Sequence, residues 1–252
     1  MSEWKEISLH DIKGVKIGHA QDAEHATGCT VILPEKKAIC GVDVRGGGPA
    51  SRENQLLNPL MSNDGVNAVL LSGGSAFGLD AAGGVMRYLE KKGRGVKVGD
   101  AIVPIVVGSC IFDLGCVDGK VRPDAHMGFA ACLDSEDHVE RNGNVGAGMG
   151  ATVGKLHGAD FSMKSGLGCY AVQAGMLQVG AIVAVNAIGD VFEMDSKKQL
   201  AGLLNKDKTG MISSEEEAVK LLQLASLFSL NTTIACIVTN AKLDKAEMNK
   251  VA

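Results

Sequence analysis

The chain has 252 residues, 46% of them apolar and 21% charged, with a formal net charge of -4. That length and apolar content supply one large domain with a sizeable core, and the slightly acidic balance excludes a chain built to neutralise nucleic-acid phosphates. No apolar run is long enough to span a bilayer, and the polar opening MSEWKEISLHDIKG lacks the apolar stretch of a signal peptide; the expectation is a soluble, cytoplasmic protein that works with neither membrane nor nucleic acid.

Seven cysteines, an odd number with no C-x-x-C pair, read as reduced thiols inside apolar runs. Six histidines form neither H-E-x-x-H nor a close pair, so no metal and no other cofactor is expected. The 33 glycines stand well above an average share of about 7% and are mixed with Val, Ile and Ala. That mixture predicts tight turns and close backbone approaches in a packed α/β or α+β domain.

In chain order, residues 14–33 alternate short apolar runs with turn residues and predict strands. Residues 37–54 predict a strand running into a glycine loop with Arg45, Arg52 and Glu53. Residues 66–93 predict a buried strand, a Gly-Gly-Ser turn and a helix whose face is Ala81, Ala82, Val85, Met86 and Leu89, closed by Gly93. A strand is expected over 101–107, a short helix over 123–133 after Pro123, and a glycine-rich segment over 143–156. Residues 178–192 predict a strand pair or one long kinked strand. Residues 213–230 carry the strongest helical pattern, capped by Ser213 or Ser214 with Glu216 or Glu217, with Leu221, Leu222, Leu224, Ala225 and Phe228 as its apolar face. A strand over 232–239 follows, then a helix opened by an Asp244/Glu247 capping box.

Several motifs carry candidate chemistry. GGSAFG at 73–78 fails the G-x-S-x-G test because Phe77 stands at the second glycine, which leaves Ser75 as a helix cap, with the amides of Gly73, Gly74 and Ser75 as a second reading, pocket lining. GAGMGATVGKL does not fit the phosphate-loop spacing. Lys164, in MKSGLG, is either solvated or held in an apolar pocket where desolvation lowers an ammonium pKa. Asn186 interrupts an apolar strand; it is either a structural bridge or a donor aimed at an oxyanion. Asn231-Thr232 is a junction where the Thr hydroxyl can attack the preceding carbonyl, leaving an N-terminal Thr whose amine is a usable base. The strand reading of Thr232 remains open beside it.

TGCTVIL, GVDVRGGGP with SREN, LSGGSAFGLDAAGGVMRYLE, GNVGAGMGATVGKL, KSGLG, VGAIVAVNAIGDV and NTTIACIVTNAKL follow one another in an order that resembles the L-aminopeptidase/D-esterase family, with its β-peptidyl aminopeptidases and nylon-oligomer hydrolases. The resemblance spans residues from about 12 to 252. It implies an α+β, four-layer αββα sandwich similar to N-terminal-nucleophile hydrolases, folded as a single hydrolase domain over 1–252. It implies a self-processing aminopeptidase that hydrolyses small N-terminal aminoacyl amides, peptides or esters as a homo-oligomer, a tetramer. Thr232 matches the nucleophile, Asn231 the residue before the cleaved bond, Asn186 the oxyanion asparagine and Lys164 the family's Lys-Gly-Gly stretch; Gly73, Gly74 and Ser75 line the pocket. Ser165, Met149 and Gly48 depart from the usual Gly, Thr and Ala, and the family's later Asp-Gly-Asp stretch has no counterpart in these residues, so a C-terminal segment is expected to be lacking. A non-catalytic small-molecule binding paralogue and a Thr-dependent acyltransferase of the ornithine acetyltransferase type are the alternatives.

Overall fold

The computed structural model describes residues 4–137, 139–221 and 231–252. Two sheets dominate it. The first is built from β2 (Val15–Asp22), β3 (Thr27–Pro34), β4 (Ser51–Arg52), β5 (Ala68–Ser72) and β6 (Val106–Cys110) in the order β2-β3-β5-β6-β4. The second is built from β1 (Trp4–Ile7), β7 (Leu167–Ala174), β8 (Leu177–Asn186) and β9 (Thr232–Thr239), in the order β1-β7-β8-β9 and antiparallel throughout. In the first sheet β5 and β6 run parallel, and the chain between them contains helix α1 (Ala81–Lys91). Parallel neighbours need such a crossover because a tight turn cannot return the chain in the same direction.

The sheets face each other across one apolar layer: Ile17, Ile32 and Leu71 from the first, and Leu167, Ala171, Ile182, Ala184 and Ile234 from the second. The other face of the first sheet packs Cys29, Val31, Leu33 and Leu70 against α1 and α2 (Ala125–Asp134), through Val85, Leu89, Ala131 and Cys132. Strand β3 is therefore buried on both faces, which is why its sequence is a continuous apolar run without alternation. Burial pushes the Cys110 and Cys132 thiols up to about 12, and Cys29 is raised as well, so all three are neutral thiols. The outer face of the second sheet carries Tyr170 and Ile237, 48% and 61% exposed. No helix among the described residues packs extensively on it, so these residues account for helix, sheet and sheet of the expected αββα order. None of their helices is long and apolar enough to cross a membrane.

Local signals explain most helix ends. α1 closes with a Schellman motif: Gly93 is left-handed at φ 69, its N–H reaches Glu90 O, and the Arg94 N–H reaches Leu89 O. Asp124 caps α2 through the Met127 N–H. Ser213 Oγ accepts the Glu216 N–H at the start of α3 (Ser214–Leu221). Leu222, Leu224, Ala225 and Phe228 of its expected apolar face lie outside the described residues. Asp244 and Glu247 form the reciprocal capping box of α4 (Lys245–Val251).

Three expectations are corrected. Residues 37–44 form no strand; Ala38 makes a single bridge to Val66 and the exposed chain from 43 onward has no face to bury. The expected strand at 101–107 is divided at Pro104, which donates no N–H, into a hairpin strand Ala101–Val103 and β6. The 178–192 pattern ends at Asn186, and Val191–Phe192 pairs with Gln199–Ala201 in a separate hairpin.

Helices α1 and α2 cross backbone to backbone. A Cβ on Gly84 would lie 1.8 Å from Ala125 O, and one on Gly128 would lie 2.0 Å from Ala81 O. Gly84→Ala is therefore expected to lower stability by about 1–3 kcal/mol, although helix propensity alone favours alanine by about 1 kcal/mol; urea denaturation checks the sign. A second expectation concerns His19, 5% exposed with Nδ1 3.0 Å from Thr30 Oγ1. Burial lowers its pKa from 6.5 to about 4, against the pull of Asp134. The folded protein thus binds fewer protons here than the unfolded chain between those values, so this contribution is intact above pH about 6.5 and is lost as pH falls towards about 4. The loss is on the order of 3 kcal/mol, and His19→Gln should flatten that part of the stability–pH curve.

Candidate active site

Strand β8 ends at Asn186 and β9 begins at Thr232, and the antiparallel register sets these two residues directly opposite each other. Strand alternation fixes their direction. Ile182 and Ala184 face the inter-sheet core, so Asn186 does too, and it is 0% exposed. Thr232 shares a face with buried Ile234, while Thr233 shares the outer face with Ala235 and Ile237. Asn231 lies exposed immediately before β9.

A buried amide must be satisfied. Asn186 Nδ2 donates to Phe112 O at 2.9 Å, and its Oδ1 accepts the Thr152 N–H at 3.1 Å. The Asn186 carbonyl accepts from Lys155 Nζ at 2.8 Å. Burial lowers the Lys155 pKa to about 8, with Cys116 acting in the opposite direction. Lys164 stands opposite Thr152 in a two-residue ladder formed by Thr152–Val153 and Met163–Lys164. Its Nζ donates to Met149 O and Ala151 O, both at 2.8 Å. Burial pulls its pKa below the usual lysine value, while Cys116 and Asp113 push it back up.

The Gly73–Ser75 turn reaches the same end of the sandwich through Asp113. Gly74 and Ser75 are left-handed, at φ 79 and 52, and the Ser75 N–H bonds Ile111 O. The Gly74 N–H donates to Asp113 Oδ1 at 2.6 Å, and Thr27 Oγ1 donates to Asp113 Oδ2 at 2.8 Å. Burial raises the Asp113 pKa, against the lowering action of the Gly74 and Thr27 donors and of Lys164. The expected cap by Ser75 is corrected: its side chain caps no helix, because a 3-10 turn, Ser75–Asp80, intervenes before α1 and the cap position is Gly74. Thr232, Asn186 and Lys164 are thus linked, through Thr152, Phe112 and Asp113, to the Gly73–Ser75 turn. Among the described residues no cluster of His, Cys, Asp and Glu is arranged to hold a metal ion.

Sequence reasoning missed Asp113, Thr152 and Lys155. Asp113 had a signal: a lone carboxylate directly after an apolar strand, in IFDLG. Lys155 had one as well, since it closes a glycine run that fits no phosphate loop and so needed another reason to be there.

Residues 8–252 match the sequence pattern of Peptidase family S58. The chain belongs to that family. An uncharacterized aminopeptidase of Mycobacterium leprae is 39% identical over 265 residues, covering 97% of this chain and 70% of that protein. The 6-aminohexanoate-oligomer endohydrolase of Paenarthrobacter ureafaciens is 30% identical over 259 residues, covering 100% and 68%. The L-aminopeptidase D-Ala-esterase/amidase of Ochrobactrum anthropi, described as a variant of the Ntn hydrolase fold, superposes with a TM-score of 0.68 at 16% identity, covering 97% of this chain and 66% of that one. A Burkholderia beta-aminopeptidase superposes with a TM-score of 0.62 at 19% identity, covering 97% and 65%. This S58 peptidase is therefore a hydrolase with an α+β fold of the Ntn-hydrolase kind.

Truncating Asn186 orphans two backbone groups at once, Phe112 O and Thr152 N–H. Asn186→Ala should lower folding stability by about 1–3 kcal/mol, read from the midpoint of urea unfolding at neutral pH. An unchanged midpoint would show that neither bond matters to the fold.

Proposed function

We propose that this S58 peptidase is a self-processing amidase that cleaves small N-terminal aminoacyl amides, peptides or esters with Thr232 as its nucleophile. One observation carries the reading: Thr232 stands at the first position of edge strand β9, directly opposite a buried asparagine and directly after Asn231. In processing, Thr232 Oγ attacks the Asn231 carbonyl carbon, the peptide C–N bond breaks and an ester forms. Water hydrolyses the ester, leaving the Asn231 carboxylate and a new Thr232 α-amine.

That amine has an ordinary pKa of about 7.7–8.0 and accepts the proton of its own hydroxyl. Oγ then adds to the substrate acyl carbon, and the proton passes to the leaving amine as the C–N bond breaks. A water repeats the sequence on the acyl ester. Asn186 has two N–H donors, one of them on Phe112 O, and the other suits the oxyanion. Lys155, half-buried, and Lys164, an exposed residue whose ammonium reaches the Met149 and Ala151 carbonyls, add positive charge beside it. The relatives' names suggest aminoacyl amides and amino-acid oligomers as first substrates to try.

Thr232→Ala should abolish both processing, read by intact mass, and turnover of an aminoacyl p-nitroanilide, because one hydroxyl serves both steps. Thr233→Ala should change either by no more than a few-fold, since its side chain lies on the outer face. Equal activity in Thr232→Ala and the parent protein would overturn the assignment. Acyl transfer to an added amine with little hydrolysis would favour the acyltransferase reading, and ligand-induced stabilisation with neither reaction would favour a binding protein.

A further inference from the structure

Phe112 and Asp113 follow β6 and serve the site with different groups. The Phe112 carbonyl takes an N–H of Asn186, and the Asp113 carboxylate takes the Gly74 N–H and the Thr27 hydroxyl. Asp113 is only 6% exposed. A carboxylate buried that deeply stays ionised only with donors and a compensating charge. Gly74 and Thr27 supply the donors, and the nearby cation is Lys164.

The geometry runs through Gly150. Lys164 Nζ lies 2.8 Å from the carbonyl oxygens of Met149 and Ala151, the residues on either side of Gly150. Asp113 closes on Gly150 itself: a Cβ built there would meet Asp113 Oδ2 at 2.5 Å and Asp113 Cβ at 2.6 Å. Ammonium and carboxylate thus approach the same short segment, 149–151, and a side chain at Gly150 would collide with Ala26 O and with the Asp113 carboxylate. We propose that Asp113 is a positioning residue of this site: its buried carboxylate is a counter-charge that favours and orients the ammonium form of Lys164. Two of the three N–H donors of that ammonium go to the Met149 and Ala151 carbonyls, and the third serves a reacting oxygen. The proposal rests on the reading that Lys164 belongs to the reacting site.

The surrounding groups are few. Lys164 faces Asp113 and the Cys116 thiol, and both favour its charged form while burial opposes it. Asp113 also acts on Cys110, whose thiol burial pushes up to about 12 and which so carries no charge. If Asp113 merely held the Gly73–Gly74 turn, replacing its charge would leave Lys164 titrating as before.

The test measures the titration of Lys164 from the pH dependence of its reductive methylation, read residue by residue by mass spectrometry, in the parent and in Asp113→Asn. The expected result is a fall of about one pKa unit in Asp113→Asn, seen as roughly tenfold faster labelling of Lys164 at a pH below both midpoints. An unmoved titration in a folded Asp113→Asn overturns the proposal. Should that variant not fold, Lys164→Met decides. Without its cation the folded Asp113 carboxyl binds its proton at higher pH than before, so the protein gains relative stability as pH falls. The stability deficit of Lys164→Met against the parent should therefore shrink between pH 8 and pH 5, and a deficit constant across that range overturns the proposal. Neither measurement involves substrate or turnover, so both stand apart from the assignment of Thr232 as nucleophile.

Discussion

One primary amide, sealed between two sheets, holds this site together. Asn186 ends β8, and its side chain joins the loop after β6 to the glycine segment before Lys155. Its backbone carbonyl anchors the Lys155 ammonium, and its register partner is Thr232. Four stretches of chain far apart in sequence meet at this residue. Because a buried amide left unpaired costs on the order of 1–3 kcal/mol per group, these stretches cannot drift independently. The position of Thr232 is thereby a property of the whole sandwich and not of a loop.

The same seam explains some of the glycines. Charges brought into a low-dielectric interior need partners at close range, and the partners here are main-chain carbonyls and amides. Lys164 is held by two carbonyls, Lys155 by another, and Asp113 by an amide of a left-handed glycine. At two places the approach of a side-chain charge to the backbone leaves no room for a Cβ. Gly73 and Gly150 are such places, each with the Asp113 carboxylate where a methyl would stand. Away from the site, the crossing of α1 over α2 uses the same device for packing instead of charge.

The elements legible in the sequence were those with local causes. The helix after the Gly-Gly-Ser turn, its Gly93 closure and the Asp244 capping box follow from short-range hydrogen bonds written into consecutive residues. The family resemblance placed Thr232 and Asn186, and the register shows them side by side. Strand pairing was less legible. The halt of β8 at Asn186 depends on which chains lie alongside, which no local window contains. Asp113 was missed for the same reason: its partners, Thr27, Gly74 and Lys164, lie 86, 39 and 51 positions away. The lone carboxylate in IFDLG is visible in the sequence, but its donors appear only once the fold brings them to it.

The thiols of the helix-side core have a consequence of their own. Cys29 lies under the helices, Cys132 is on the inward face of α2 and Cys110 is buried at the end of β6; burial holds all three protonated at neutral pH. Alkylating reagents attack thiolates, so these three sulfurs are silent while the helices lie on the sheet. Each time the layer lifts, the thiols meet water, recover an ordinary acidity and become reactive. The protein thus carries a native clock for the opening of one layer, with its hands placed inside the core whose opening it times.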